Sequence, residues 1–292
     1  APDGLAGGAA AFDPAGGETR QFKGISQSEQ IASLDRTIYF GLYPRARVHA
    51  FDTTAPWTAP AGNPREIAML ERQGRPVALV GVPDLGMLFV GTIPEYGLLG
   101  GMLATWDPAA RQLETFPDVV PRQSIASLAF AGGHIVGGTT VQGGLGIEPV
   151  ETEGRLFLWD PATRRKIFET VPVAGRRIVS GLTPRPDGTV WGFAEGAFFV
   201  FDLKARAVTH RDESHQPNFT GRALWQDASM VVHPNGDVFA VEHDRFLRID
   251  GSTRRISVLR TGLENKHTRP IALDRAGRVY FADGAELWRY AP

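Results

Sequence analysis

The chain has 292 residues, no cysteine and a formal net charge of -1 from 31 basic and 32 acidic side chains. This balance excludes the strongly basic character typical of nucleic-acid-binding proteins, and no apolar run is long enough to predict a membrane partner. The lack of cysteine removes disulfides, thiol nucleophiles and cysteine-based metal sites. We expect a single domain over residues 1–292, because all-β chains of this length commonly fold as one.

One sequence unit recurs along the chain. Residues 4–14 and 97–108 both read Gly-Leu-x-Gly-Gly and end in an aromatic residue followed by Asp-Pro. Related marks stand at Phe51-Asp52, Trp159-Asp160, Phe201-Asp202, Ile249-Asp250 and Trp288-Arg289-Tyr290. The marks are about 40–55 residues apart, which is the length of one β-propeller blade.

Each unit contains four short apolar runs separated by turn residues, which predicts four antiparallel strands. The second run is marked by bulky residues next to a small one: Tyr39-Phe40-Gly41, Phe89-Val90-Gly91, Val136-Gly137-Gly138, Trp191-Gly192-Phe193, Phe239-Ala240-Val241 and Tyr280-Phe281-Ala282. Turns such as Asp187-Gly188 precede it, where a hairpin needs positive φ. The 34 glycines and 21 prolines, without capped amphipathic stretches, argue against helices. The sequence therefore predicts an all-β fold, a β-propeller of four-stranded blades.

The number of blades depends on how the two ends of the sequence are read. We favour seven blades, with the first incomplete because its first two strands would lie upstream of residue 1. The alternative is six blades, in which residues 18–24 supply an outer strand beside residues 288–290, since propellers usually protect their open edges in this way. In that case residues 7–13 would be left over.

The repeated residues are expected to be structural. The aromatic rings would pack between blades, and the Asp side chains would accept hydrogen bonds from turn backbone. Function is instead expected where the repeats differ, on loops at the upper face of the ring. These are the loops between second and third strands and those between successive blades.

The expected upper-face loops are rich in Arg, Glu, Tyr and His. Arginine forks hold carboxylates at two points and tyrosine rings cover sugar faces, so this set favours an acidic, hydroxyl-rich ligand. The predicted catalytic residues are Tyr43, His243 and His267, and the predicted substrate-binding residues are Arg45, Tyr96, Arg122, Arg177, Glu242 and Arg269. His243 and His267 are proposed as facing one another as an acid and base pair.

No metal ligand is predicted, because the usual metal-binding motifs are absent. A dispersed divalent-metal site built from Glu242, His243, Asp244 and His267 is an alternative with no characteristic spacing. The remaining histidines, His49 and His215 among them, are expected to be structural or exposed. Asn218-Phe219-Thr220 matches a glycosylation acceptor, a motif that is common by chance.

Two pieces resemble a known superfamily: Asp187-Gly188-Thr189-Val190-Trp191-Gly192 and Trp159-Asp160-Pro161-Ala162-Thr163 look like bacterial propellers of the WD40-like and quinoprotein-like superfamily. The general pattern of the sequence is also similar to that of propeller polysaccharide lyases. That resemblance implies a Tyr or His base and an Arg, or a metal, that neutralises a uronate carboxylate. Tyr43, His243 or His267 would then be the base, and Arg45, Arg177 or Arg269 the cation.

Three functions follow from these patterns. The leading one is a bacterial, secreted or periplasmic propeller that binds or cleaves acidic oligo- or polysaccharide, with β-elimination as its chemistry. The alternatives are a non-catalytic binding module of a larger protein and a metal-dependent lactonase or lyase. We expect a monomer or a module of a longer chain.

Overall fold

A computed structural model describes residues 7–215, 217, 224–264 and 270–292. The regular structure is almost entirely strand, and among these residues the one helical turn is the 3-10 helix Pro83–Leu85. None of the described helical structure is long and apolar enough to cross a membrane. The fold is all-β, a six-bladed β-propeller built from four-stranded antiparallel blades, together with a separate two-stranded hairpin.

The strands follow one another in chain order within each sheet. The hairpin consists of β1 (Gly7–Phe12) and β2 (Thr19–Ile25). The first sheet consists of β3 (Gln27–Leu34), β4 (Thr37–Tyr43), β5 (Arg47–Asp52) and β6 (Arg65–Met69), and the second of β7 (Gln73–Val82), β8 (Met87–Pro94), β9 (Met102–Asp107) and β10 (Gln112–Pro117). The third sheet consists of β11 (Ser124–Ala131), β12 (His134–Thr140), β13 (Leu156–Asp160) and β14 (Arg165–Thr170). The fourth sheet consists of β15 (Val179–Pro184), β16 (Thr189–Ala194), β17 (Ala197–Asp202) and β18 (Ala207–Asp212). The fifth consists of β19 (Ala228–Val232), β20 (Val238–Glu242), β21 (Arg245–Ile249) and β22 (Ile256–Arg260). The sixth consists of β23 (Ile271–Leu273), β24 (Val279–Asp283) and β25 (Glu286–Tyr290). Within the described residues the sixth sheet has three strands.

The chain divides into two compact units. The first unit comprises Ala1–Leu128 and Gln142–Pro149, and the second comprises Ala129–Val141 and Val150–Pro292. The first therefore contains the hairpin and the first two sheets, and the second contains the fourth, fifth and sixth sheets.

The blade count is six rather than the favoured seven, so the six-blade alternative is confirmed. Its proposed closing strand is wrong, however. Residues 18–24 fall largely within β2, which pairs with β1 through contacts such as Phe12 with Thr19 and Ala9 with Phe22. Residues 7–13, the repeat unit left over in the six-blade alternative, therefore belong largely to a hairpin, because β1 pairs with β2, the next strand along the chain.

The core lies between successive sheets. All six residues of β16 are buried, whereas the outer strand β18 alternates between exposed and partly buried positions. Inner strands are buried on both faces because neighbouring sheets cover both. In the second unit, Phe199 and Phe201 of one sheet pack with Leu156 and Leu158 of the preceding sheet.

Small residues in the second strands let successive sheets approach closely. A Cβ added at Gly41 would lie 2.7 Å from the Pro76 carbonyl oxygen, and one at Gly138 would lie 2.3 Å from the Val179 carbonyl oxygen. In both cases the obstacle is backbone at the start of the next sheet, which cannot rotate away. The small residue of the predicted second-strand marker is therefore a packing requirement.

The Asp residues of the aromatic-Asp marks lie at the ends of third strands and accept hydrogen bonds from the turns that follow, so the structural role predicted for these Asp side chains is confirmed. Asp52, Asp107, Asp160 and Asp250 each accept backbone N–H groups two or three residues later, at 2.7 to 3.0 Å. These carboxylates replace a backbone acceptor in a tight turn.

Trp57, in the loop between β5 and β6, holds the hairpin on the first sheet. Its ring lies 4.9 Å from that of Phe22 in the hairpin and 5.8 Å and 5.2 Å from those of Phe40 and Phe51 in the sheet. Its Nε1 donates a hydrogen bond to the Lys23 carbonyl oxygen at 2.9 Å. The hairpin is thus attached by an aromatic cluster and one hydrogen bond.

The close approach of sheets predicts the effect of adding one methyl group. We expect Gly138→Ala to destabilise the protein by about 1–3 kcal/mol or more, because the new Cβ would overlap backbone. Gly16→Ala is the control, since its Cβ would meet only side-chain atoms of Asp13 and Glu18, the nearest at 3.1 Å. Urea midpoints measure both changes, and equal midpoints would contradict the packing requirement.

Candidate functional site

The predicted site residues lie at strand ends and in connections. Tyr43 ends β4 and Arg45 lies in the following turn, and Tyr96 follows β8. The residues on blade-to-blade connections are Arg122, before β11, and Arg177, before β15. In the second unit, Glu242 ends β20 and His243 occupies the turn to β21. His267 and Arg269 lie outside the described residues.

In the first unit, two of these predicted residues meet. Tyr43 Oη and Tyr96 Oη are 3.0 Å apart, although the residues are far separated in sequence. The guanidinium carbon of Arg75 lies 3.8 Å from the centre of the Tyr43 ring, a cation–π arrangement. We call Tyr43, Tyr96, Arg75 and its partner Glu29 the tyrosine–arginine cluster.

Glu29 fixes the position of Arg75. Its carboxylate is ion-paired with the Arg75 guanidinium and accepts a hydrogen bond from Gln27 Nε2 at 2.8 Å. The Glu29 and Arg75 side chains are only 4% and 12% exposed. A buried charge is tolerated only when it is paired and hydrogen-bonded, so this carboxylate holds the Arg75 guanidinium in place.

The two phenols are not equivalent. The hydrogen bond with Tyr43, followed by a hydrogen bond and the charge of Arg75, lowers the pKa of Tyr96 even though burial opposes the shift. The hydrogen bond with Tyr96, together with burial, raises the pKa of Tyr43. The opposite shifts favour loss of the Tyr96 proton before that of Tyr43, and either hydroxyl can donate while both are protonated. Because Tyr96 is 54% exposed, its oxygen is the one available to a ligand as a base.

Arg45 and Arg122 are exposed and adopt left-handed backbone, with φ of 69° and 61°. Arg45 makes no hydrogen bond or ion pair to any part of the chain that the structure describes. It follows Tyr43 by two residues, so it is a free cation on the same connection as the phenol pair.

The second unit holds a separate group, which we call the histidine–arginine cluster: Glu242, Arg245, His215, His243 and Asp244. The Glu242 side chain is fully buried, and its Oε2 accepts from Arg245 Nε at 2.9 Å and Nη2 at 2.5 Å. His215 Nε2 lies 3.7 Å from the same oxygen, and His243 Nδ1 lies 3.2 Å from Asp244 Oδ1. Glu242 thus reaches a ligand only through its neighbours.

His215 is held in its neutral form. Burial, and then the charge of Arg245, lowers the pKa of His215 from 6.5 to about 4. At neutral pH this imidazole is therefore an uncharged hydrogen-bonding group beside the buried, Arg-paired carboxylate.

Arg177 is already paired within the protein. Its backbone N–H donates to Glu195 Oε2 at 2.8 Å and its Nε donates to Oε1 at 2.9 Å. The Arg177 side chain remains 48% exposed, whereas that of Glu195 is 9% exposed. A ligand carboxylate would therefore share Arg177 with Glu195.

No group of three or more His, Asp or Glu side chains in the described part of the chain is arranged to hold a metal ion. The dispersed site that includes His267 extends beyond these residues. The metal-dependent alternative therefore stays a prediction.

The predicted site residues do not include Arg75, His215 or Arg245. A signal for Arg75 was available: Glu29 and Arg75 both stand at the third position of the first strand in successive sheets, β3 and β7. First strands of neighbouring propeller blades lie side by side, so opposite charges at equivalent positions predict an ion pair. His215 carried no comparable signal, because its loop has no counterpart in the other repeats.

Comparisons with known proteins support the fold alone. No protein-family model and no curated protein matches this sequence. Among 794 matching chains of solved structures is the crystal structure of the computationally designed Ika8 protein. It has a TM-score of 0.58 and 16% identity, over 97% of this chain and 78% of that chain.

The phenol pair predicts a specific titration. We expect Tyr43→Phe to raise the pKa of Tyr96 toward the usual tyrosine value near 10, because the hydrogen bond from Tyr43 is the largest cause of its lowering. The Cζ carbon resonances of tyrosine, followed by NMR against pH, measure the change. Tyr290→Phe serves as the control substitution. An unchanged Tyr96 titration would contradict the role of Tyr43 in lowering the pKa of Tyr96.

His215 predicts a pH-dependent stability difference. Between pH 6.5 and about 4 the unfolded histidine binds a proton that the folded one does not, so this side chain lowers stability increasingly as pH falls through that window. We expect His215→Asn to lose less stability than the wild type there. Denaturant unfolding at several pH values measures it, and parallel curves would overturn the assignment.

Proposed function

We propose that the chain binds acidic carbohydrate at the tyrosine–arginine cluster and cleaves it by β-elimination at a uronic acid. The observation that carries this proposal is the phenol pair, in which an exposed Tyr96 of lowered pKa is hydrogen-bonded to Tyr43 beside a fixed arginine. Elimination needs a base for the proton α to the carboxylate, an acid for the leaving oxygen and a cation for the developing negative charge.

The chemistry of the cluster supports a sugar ligand. An exposed aromatic ring beside hydrogen-bonding groups suits the apolar face and hydroxyls of a sugar. Arg75 is committed to Glu29, so its role is to position and polarise the phenols. Arg45 is the exposed cation assigned to the uronate carboxylate, because it has no partner among the described residues and lies two residues after Tyr43.

The proposed step balances within the phenol pair. Tyr96 phenolate takes the C5 proton, the C–H electrons form the C4–C5 double bond, and the C4–O bond breaks. The leaving oxygen takes the proton of Tyr43. A proton transfer from Tyr96 to Tyr43 across their 3.0 Å hydrogen bond then restores the starting state.

The likeness of the sequence to propeller polysaccharide lyases and to WD40-like and quinoprotein-like bacterial propellers supports the same proposal. It also suggests a bacterial protein that acts outside the cytoplasm, where acidic polysaccharides are met. The histidine–arginine cluster is then a second polar region, in which His243 and Arg177 stay candidate ligand contacts.

We expect the purified chain to generate ultraviolet-absorbing unsaturated uronides from at least one acidic polysaccharide in a panel. Tyr96→Phe and Tyr43→Phe should each lower kcat by about 100- to 10,000-fold, the usual contribution of a general acid or base. Arg45→Gln should mainly raise KM. Tyr290→Phe is the matched control, since it removes a phenol in the other unit and should retain activity.

The alternative outcomes are distinct. Full activity in Tyr96→Phe would overturn the assigned base. A folded sample could instead bind these polysaccharides without forming product, and Arg45→Gln could weaken that binding. This result would favour a non-catalytic binding module. Absence of both product formation and polysaccharide binding would overturn the carbohydrate proposal.

A further inference from the structure

Four turns of the second unit concentrate basic charge. Each contains one Asp and two basic residues: residues 160–165 between β13 and β14, 202–206 between β17 and β18, 250–255 between β21 and β22, and 274–278 between β23 and β24. Each turn thus contributes one net positive charge, whereas the whole chain has a net charge of -1. The β9–β10 turn of the first unit, residues 107–111, has one Asp and one Arg and is neutral.

Contacts between sheets place these turns on one side of the second unit. A Cβ added at Gly132, in the β11–β12 turn, would lie 3.4 Å from Leu203 Cδ1 in the β17–β18 turn. Arg185, before β16, donates from Nη2 to the Gly236 carbonyl oxygen, before β20, at 2.7 Å. His233 Nε2 lies 3.0 Å from a carbonyl oxygen of the β23–β24 turn. Because first–second and third–fourth turns lie at the same end of an antiparallel sheet, the four basic turns form one surface.

Six cations of these turns have no acidic partner. Their side chains form no ion pair and no hydrogen bond with any residue that the structure describes, and all six are exposed or partly exposed. Nearby cations differ, since Arg278 is paired with Asp274 and Lys166 with Glu169. We call the six residues the basic turn surface: Arg165, Lys204, Arg206, Arg254, Arg255 and Arg275.

The acidic residues of the same turns are committed to the turn backbone. Asp160, Asp202 and Asp250 each accept a backbone N–H from two or three residues later, at 2.7 to 3.0 Å. They are partly exposed, and a carboxylate has about four acceptor positions. These side chains can therefore still accept a hydrogen bond from a ligand hydroxyl, and they leave the six cations without an ion pair.

We propose that the basic turn surface binds a linear acidic polysaccharide that bears one carboxylate on each sugar. Guanidinium groups hold carboxylates through charge-assisted hydrogen bonds. The Asp side chains between them accept from sugar hydroxyls. This surface binds without catalysing a reaction, and it does not depend on the proposed cleavage at the tyrosine–arginine cluster.

Other polyanions fit this surface less well. Duplex DNA carries one charge per about 1.7 Å of its axis, and its phosphates offer no donor to the turn carboxylates, which repel them. Membrane insertion and base stacking use exposed apolar or aromatic side chains. Among the described residues, no large exposed hydrophobic side chain lies in these four turns. A hydroxyl-rich polymer of lower charge density matches the mixture of Arg and Asp better.

Titration calorimetry with polygalacturonate tests the proposal, with neutral dextran and a DNA duplex as comparison probes. We expect polygalacturonate to bind more tightly than either, and its affinity to fall as salt is raised. The triple variant Arg165→Gln/Arg206→Gln/Arg255→Gln should weaken binding by about two- to fivefold for each exposed contact removed. Arg211→Gln is the matched control, because Arg211 is exposed and lies near the opposite end of β18 from Arg206.

Two further measurements separate this surface from the tyrosine–arginine cluster. In an Arg45→Gln background, where the cluster binds weakly, the triple variant should still lower the affinity for polygalacturonate. Tyr96→Phe should leave that affinity unchanged, and its loss of turnover bears on the proposed cleavage alone. If thermal unfolding shows that the triple variant does not fold, Arg165→Gln and Lys204→Gln replace it as single changes.

Four results would overturn the proposal. They are no binding of polygalacturonate, binding that the turn substitutions leave unchanged, an equal loss in Arg211→Gln, and equal affinity for dextran or the DNA duplex.

Discussion

In the first three sheets the second strand lies close to the first strand of the next sheet, and this is the constraint on which the other features depend. At Gly91 a Cβ would lie 2.4 Å from Ile125 Cγ2, and at Gly41 it would lie 2.7 Å from the Pro76 carbonyl oxygen. Where first strands are brought so near, polar side chains at their beginnings become buried together. Glu29 and Arg75 are one result of this packing.

Burial then sets the chemistry of these side chains. In a region with little water, each charge needs a partner at a fixed position, and that partner in turn orients its neighbours. Glu29 holds Arg75, which lies over Tyr43, and Tyr43 is hydrogen-bonded to Tyr96. The one phenol in this chain of contacts that solvent reaches freely is the one whose pKa is lowered.

The histidine–arginine cluster follows the same principle with a different outcome. Glu242 has no exposed surface and is paired with Arg245, so the neighbouring His215 experiences both burial and a positive charge. The result is a neutral imidazole. Similar burial thus gives a polarised phenol in one unit and an uncharged histidine in the other.

The fold could be predicted from the sequence because its repeat is local and periodic. Third-strand marks, turn residues and the small second-strand residue each act within one blade or between adjacent ones. The blade count was harder, since residues 4–14 match a third strand equally well whether they join a sheet or form a hairpin.

The site was predicted only in part, for a physical reason. Tyr43 and Tyr96 were selected by residue type and loop position, but their contact depends on the spacing of two sheets. Arg75 lies at the third position of a first strand, and its ion pair with Glu29 depends on the packing of two sheets. Whether a strand side chain is satisfied by its neighbours is a property of the packed structure, and the sequence alone does not contain it.

The attachment of the hairpin has a consequence for how the molecule is organised. Trp57 joins β1 and β2 to the first sheet mainly through ring packing, and no backbone ladder links the hairpin to that sheet among the described residues. Ile25 and Ala9 of the hairpin pack in the same cluster as Trp57. The position of the hairpin therefore depends on side-chain packing and not on the strand pairing of the first sheet.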